Sequence, residues 1–214
     1  MKIKTLALAA ALAVAAPAFA DTVNLSGFTF SPATVVTVSS PNYSGKAGQY
    51  TGLLNGNSFV TYCTDLSQTI SFNANYTDYT VVNGVTAWGA QRSLDLDRWI
   101  SWLDQSAYPI DAAMSAASQA AVWEILYETS STYDLASGTF TATSGDAATQ
   151  NYLNTVNWAG LSGVTVTLHV DQLYSREHQD LLVTTPVPEP STYALFAAGL
   201  AGMGFVARRR SRRA

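Results

Sequence analysis

Two apolar segments, one at each end of the 214-residue chain, decide which residues are left to build a fold. The first runs from Thr5 to Ala16 behind a basic start (Lys2, Lys4) and ends in Ala18-Phe19-Ala20 before Asp21. That three-part pattern reads as a secretory signal peptide, residues 1–20, cleaved by signal peptidase after Ala20. The run is short for a membrane span, which argues against an N-terminal anchor. The second segment, residues 191–207, follows Pro188-Glu189-Pro190 and runs into Arg208, Arg209, Arg210, Arg212 and Arg213. Arginine-rich flanks stay on the cytoplasmic side, so the spacing predicts a membrane helix with its basic tail, 208–214, inside. What remains, residues 21–185, has a length that suits one domain with a real core.

Charge between the two segments is lopsided. Lys46, Arg92, Arg98 and Arg176 are the only bases from residue 21 to 187, against fourteen acids, so this part carries about −10 while the whole chain sums to −4. Such a surface repels phosphate backbones, which excludes nucleic acid as a partner.

The N-terminal half is β-like. "VNLSGFTF", "ATVVTVSS", "GQYTGLL", "SFVTYCTDL" and "YTDYTVV" are rich in β-branched and aromatic residues, and turn clusters such as "SPNYSGKAG" and "NGN" separate them. They predict a meander of short antiparallel strands. The period then changes: Leu96, Trp99, Ile100 and Leu103 recur at helical spacing, as do Val122, Trp123 and Leu126. Pro109 and Asp111 mark a break and an N-cap between the two helices. A third helix is expected over "GDAATQNYLNTVNWA" from Asp146, then a strand in "GVTVTLHVDQL", then a loose tail in which "VTTPVPEP" is a linker to the anchor. The expected fold class is α+β: a mostly antiparallel sheet or sandwich with an inserted helical subregion, flanked by the signal helix and the membrane helix.

Two residues in this domain are out of place. Cys63 is the only cysteine, and exported proteins tend either to pair their cysteines or to omit them. Gln119 lies five positions before Glu124, about 140° around a helix of 3.6 residues per turn. With Glu124 and Glu128 defining a solvated face, Gln119 falls on the side of Val122, Trp123 and Leu126, so a carboxamide points inward. A hydrogen bond to backbone would satisfy it, and Cys63 alone would pack as a small hydrophobe. Together they allow something else. A cysteine sulfur can attack a glutamine carboxamide, expel ammonia and leave an internal thioester, an acyl group that an amine or hydroxyl can take. Tyr62 and Trp123, beside the two partners, would exclude water.

Both ends of this argument carry a resemblance. "VPEPSTYALFAAGLAGMGFVARRRSRR" resembles the PEP-CTERM sorting signal of Gram-negative bacteria, here residues 186–214. In that family a membrane protease-transpeptidase, the exosortase, reads the signal, and the cargo is linked to exopolysaccharide production and biofilm matrix. The resemblance therefore implies export, transient anchoring in the inner membrane, then the cell surface or extracellular matrix. Tyr62-Cys63, followed by Ser118-Gln119-Ala120-Ala121 and Val122-Trp123, resembles the thioester domains of bacterial surface adhesins over roughly residues 50–129. Those domains pair an aromatic-Cys strand motif with Thr-Gln-x-Ala, and Ser118 stands in the threonine position. The resemblance implies Cys63 as thiol, Gln119 as acyl group, and Tyr62, Ser118, Ala121 and Trp123 as their surround.

Other chemistries find less support. A cysteine hydrolase would need His169 or His178 as base, and neither lies in a recognisable hydrolase motif. Two isolated histidines and one cysteine match no zinc spacing. Asp95 and Asp97 could attract calcium but read as a solvated helix face. No metal and no cofactor is expected, since phosphate loops and dinucleotide fingerprints do not occur. The expected function is an exported surface or matrix protein that is not an enzyme and attaches once, covalently, to a ligand bearing an amine or hydroxyl. A non-reactive matrix protein and a secreted cysteine hydrolase are the alternatives.

Overall fold

The computed structural model describes residues 20–106, 110–130, 132–156, 158–188, 195–196, 198–201 and 203. Among them, β1 (Asp21–Phe28), β4 (Tyr50–Leu54), β5 (Asn57–Thr61), β6 (Tyr76–Val82), β8 (Leu168–Tyr174) and β9 (Leu181–Pro186) form an antiparallel sheet in the order β5-β4-β1-β6-β8-β9. A second sheet, β3-β2-β7, joins β2 (Val35–Val38), β3 (Tyr43–Lys46) and β7 (Ala142–Thr143). The tightest hairpin, β4 to β5, turns on Asn55 and Gly56, both at positive φ (52° and 81°). Asn-Gly suits this turn because both central residues must be left-handed.

The six-stranded sheet nearly closes on itself just beyond β5. Leu182 N–H donates to the Tyr62 carbonyl at 2.9 Å, and Thr64 N–H donates to the Asp180 carbonyl at 2.9 Å. Cys63 sits between them, opposite Leu181 of β9. The lone cysteine is thus the central residue of the seam.

Between β6 and β8 the chain leaves the sheet for α1 (Gly84–Trp88), α2 (Ala90–Gln105), α3 (Ala112–Tyr127), α4 (Ala147–Thr155) and α5 (Trp158–Leu161). Asp111 caps α3 by accepting the Met114 N–H at 2.8 Å, and Asp146 caps α4 through Thr149 at 2.8 Å, each satisfying a donor that the helix leaves open. Every residue of α3 from Ala113 to Ile125 is buried. Its alanines let neighbours approach from all sides, and a helix so covered has no solvated face. One side enters a core with Val23, Leu25, Tyr79, Leu173 and Leu181. The other joins Tyr62, Leu96, Trp99, Val170 and Leu182 through Val122 and Ile125, whose burial stabilises the fold by about 1.5–3 kcal/mol per side chain.

That placement corrects the expectation for Glu124 and Glu128, which are not solvated but 0% and 2% exposed. Glu128 accepts the N–H groups of Thr129 and Ser130 on Oε1, both at 2.7 Å, and of Phe140 on Oε2 at 3.0 Å. Glu124 accepts the Asp134 N–H at 2.7 Å on Oε1, and its Oε2 is buried without a partner. Asp95 and Asp97 are likewise buried rather than solvated. Asp95 accepts from the Tyr133 hydroxyl at 2.9 Å, and Asp97 from the Val170 N–H at 2.7 Å.

Burial, with the charges of Glu128 and Asp134 adding to it, pushes the Glu124 carboxyl up to about 7, against the pull of the Asp134 N–H. A folded value above the ordinary 4.5 means that stability is fully present below that pH and falls as pH rises towards 7. The loss amounts to about 2–3 kcal/mol. Glu124→Gln should flatten this slope, measured as denaturation midpoints at about pH 5 and about pH 8.

Other boundaries also shift. The strands are not a simple meander, because β2 and β3 leave for the second sheet and β1 lies between β4 and β6. The turn cluster "SPNYSGKAG" contains β3, held by its pairing with β2. The strand expected over residues 58–66 ends at Thr61, and the tail read as loose and linker-like contains β9, a full partner of β8. The third helix is two pieces, α4 and α5. Pro109 lies outside the described residues, as do the signal segment up to residue 19, Glu189, Pro190, Arg208, Arg209, Arg210, Arg212 and Arg213. Among the described residues no helix is long and apolar enough to cross a membrane.

Candidate functional site

Cys63 and Gln119, from the seam and from α3, meet through two hydrogen bonds. Cys63 N–H donates to Gln119 Oε1 at 2.9 Å, and Gln119 Nε2 donates back to the Cys63 carbonyl at 2.7 Å. The seam explains why. In an antiparallel pair whose bonds are made by the flanking residues, here Tyr62 and Thr64, the central residue's own N–H and C=O point away from the partner strand. The Gln119 carboxamide occupies that outward side and pairs with Cys63 as another strand would. Both residues are buried, at 0% and 1% exposure, so neither group has water as an alternative.

The thiol points elsewhere in this state, with Sγ donating to the Asp65 carbonyl at 2.6 Å. Burial pushes it well above the usual thiol range, while a backbone hydrogen bond at Asp65 and the Trp123 indole pull it back and the charges of Asp65 and Asp180 raise it further. The Trp123 N–H is buried without a well-formed hydrogen bond, and its ring meets Tyr43 edge-on at 5.6 Å. The Tyr62 hydroxyl is buried near Ser115 and Ser118, again without a well-formed bond, and burial pushes it up to about 12. Ser118 spends its own hydroxyl proton on the Met114 carbonyl at 2.8 Å, and Ala121 packs into the second core. Of the residues expected to surround the pair, Trp123 bears on the sulfur directly, whereas Ser118 and Ala121 build the helix behind it.

Several contributors escape sequence reasoning. The Asp65 carbonyl that accepts the thiol also accepts Gln179 Nε2 at 3.1 Å. Gln179 in turn accepts the Tyr79 hydroxyl on its carbonyl at 2.7 Å. Tyr127 holds the same turn by accepting the Leu66 N–H at 3.1 Å. Asp180, pushed up to about 6 by burial, places a carboxyl in the same region. All of these contacts join distant parts of the chain, and no local pattern announces them.

Neither histidine is among the groups that bear on the thiol. His169 is clamped between Asp97 at 3.0 Å and Asp171 at 3.2 Å, and the Asp97 hydrogen bond raises its pKa against the opposing effect of burial. His178 lies on the Tyr76 ring at 4.3 Å and 3.8 Å from Asp78. Among the described residues no cluster of three or more potential ligands could hold a metal.

Fold and site together define an α+β domain with a dry, reciprocal cysteine–glutamine pair at the closing seam of its sheet. Compared with known proteins, residues 186–210 match the PEP-CTERM protein-sorting motif. The chain therefore carries the signal of an exported protein that an exosortase processes for the surface or the extracellular space. No curated protein and no solved structure matches it, so the resemblance to adhesin thioester domains has no support from a relative.

Proposed function

We propose that the domain, residues 21–185, forms an internal thioester between Cys63 and Gln119 and uses it once, to attach the exported chain to an amine or hydroxyl on a surface or matrix ligand. The observation that carries this reading is the reciprocal hydrogen-bond pair, which holds the carboxamide against the residue bearing the thiol. The Cys63 N–H on Oε1 polarises the carbonyl and would stabilise the oxyanion that forms there. Sγ attacks Cδ, the Cδ–Nε2 bond breaks, and Nε2 departs as ammonia carrying the former thiol proton. An incoming amine or hydroxyl then attacks Cδ, the Cδ–Sγ bond breaks, and its proton passes to sulfur. The outcome is an amide or ester to the ligand and a restored thiol. The protein is a single-turnover binder rather than a catalyst. Its PEP-CTERM tail anchors it in the inner membrane until exosortase acts.

A non-reactive pair is the second reading. The bond from Sγ to the Asp65 carbonyl and the raised thiol pKa favour it, since a protonated sulfur is a poor nucleophile. Methylamine separates the two readings. Under the thioester reading, native chain treated with methylamine becomes one CH₂ heavier than its unmodified sequence mass, with the change mapping to Gln119. One thiol per chain is released in the same step, and Cys63→Ser shows neither change. A native chain that takes up no methylamine, with its thiol titratable from the start, overturns the thioester reading.

A further inference from the structure

We propose that His169 is a pH-operated clasp that seats α1 and α2 on β8 while its imidazole is charged and lets go of α1 when it is neutral. His169 and Asp171 stand two apart on β8 and so share one face of the strand. Nδ1 lies 3.0 Å from Oδ2 of Asp97, on α2, and Nε2 lies 3.2 Å from Oδ1 of Asp171. Both ring nitrogens thus face a carboxylate oxygen. Only the imidazolium carries a proton on each nitrogen, whereas the neutral ring has one N–H and turns a lone pair towards the other oxygen. Closing both contacts therefore requires the charged form.

The surroundings decide which contact opens. Asp97 is buried, its other oxygen accepts the Val170 N–H at 2.7 Å, and its contact with the ring is the shorter of the two. Without the Nδ1 proton it would be a buried carboxylate with one oxygen unpaired, which is costly. Asp171 is better supplied. Its Oδ1 also accepts the Gly84 N–H at 2.9 Å and Asn83 Nδ2 at 3.3 Å, from the residues that start and cap α1. A neutral ring therefore keeps Nδ1–H on Asp97, and the Nε2 lone pair repels the oxygen that holds the start of α1. That start fits tightly, since a Cβ at Gly84 would come within 2.5 Å of the Val170 carbonyl oxygen. A small shift of Asp171 is thus passed to α1 and to Trp88 at its end, which packs against the second core.

Among the described residues no other cation pairs with either carboxylate. The sequence of α1 has no ionisable side chain, β9 places Thr185 opposite His169, and Arg98, next to Asp97, pairs with Asp95. The Asp97 hydrogen bond raises the pKa of His169 above the ordinary 6.5 against the effect of burial, and the charges of Asp97 and Asp171 add to the rise. The clasp is closed below 6.5 and opens as pH climbs through the raised value. A third of the side chain is exposed, so an exported chain reads external pH through it. The device does not require the thioester.

The test follows both ends of the clasp in the full chain from about pH 5 to about pH 9. His178→Gln leaves His169 as the only histidine, so NMR of the ring nitrogens reports each of them separately. Fluorinated tryptophan, with the Trp88 signal assigned through Trp88→Phe, reports α1 by fluorine NMR. Both ring nitrogens should be protonated at about pH 6, and above the midpoint Nε2 alone should lose its proton. The Trp88 signal should move with the same midpoint. Asp171→Asn keeps an oxygen for the Gly84 N–H but removes the charge, so it should lower that midpoint, while His169→Gln should abolish the Trp88 transition. If His169→Gln fails to fold, the Asp171→Asn shift decides. The proposal is overturned if His169 is neutral at about pH 6, if Nδ1 rather than Nε2 gives up the proton, or if the Trp88 signal stays still through the titration. It is equally overturned if the Trp88 transition persists in His169→Gln or if Asp171→Asn leaves the midpoint unchanged.

Discussion

In the amide form of the chain, in which no thioester has released Nε2, Gln119→Ala should destabilise the fold by about 3–6 kcal/mol, because it strips partners from two buried backbone groups at once and leaves a cavity. The Cys63 N–H and C=O face away from β9, and the Gln119 carboxamide is the partner each of them has. Water cannot substitute in a site this buried. Gln119→Glu keeps an acceptor for the N–H but removes the donor to the carbonyl and adds a charge near Asp65 and Asp180, so it should be about as damaging. Cys63→Ser, which forms no thioester, leaves the backbone pair intact and should cost less than about 2 kcal/mol against that same amide form. Urea denaturation of the three variants checks the order. Equal, small losses for all three would mean that the carboxamide does not hold the seam.

The second large effect is expected at Glu128. Its carboxylate gathers three backbone N–H groups from residues 129–140, and Glu128→Ala leaves all three without an acceptor, for a loss of about 3–5 kcal/mol. Bonds from Ser130 and Phe140 hold its carboxyl down at about 2. A folded value below the ordinary 4.5 means that the stabilisation is present above that pH and is lost as pH falls through about 2. Gly138→Ala tests the same contact from the loop side. Gly138 has φ of +111°, and a Cβ there would collide with Glu128 Oε2. Thermal unfolding should show both variants well below wild type. Because the loop seats Tyr133 on Trp158 at 5.2 Å, near-ultraviolet circular dichroism should change as well.

These effects also separate what local sequence can reveal from what it cannot. Asn55-Gly56 and Asp111 act through neighbours a few residues away, so the hairpin and the α3 cap are legible. The inward carboxamide of Gln119 was also expected, but through a solvated face that does not exist. Glu124 and Glu128 look solvated because their partners are main-chain N–H groups of a loop, which carry no residue signature. The strand β9 reads as a linker because Pro186 and the prolines that follow the strand suggest one, whereas its register comes from β8. Closure of the sheet rests on bonds such as Leu182 to Tyr62, between segments far apart in the chain. The sequence therefore names Cys63 and Gln119 as partners without explaining the geometry that unites them, a seam residue whose N–H and C=O face away from β9 towards the Gln119 carboxamide.

The thioester is the central claim, and the intact mass of freshly purified, untreated chain tests it most directly. The account predicts a mass one ammonia lighter than that calculated between the observed termini, with Cys63→Ser showing no deficit. A wild-type mass equal to the calculated one, with Cys63 alkylated at full stoichiometry in the native chain, would contradict it.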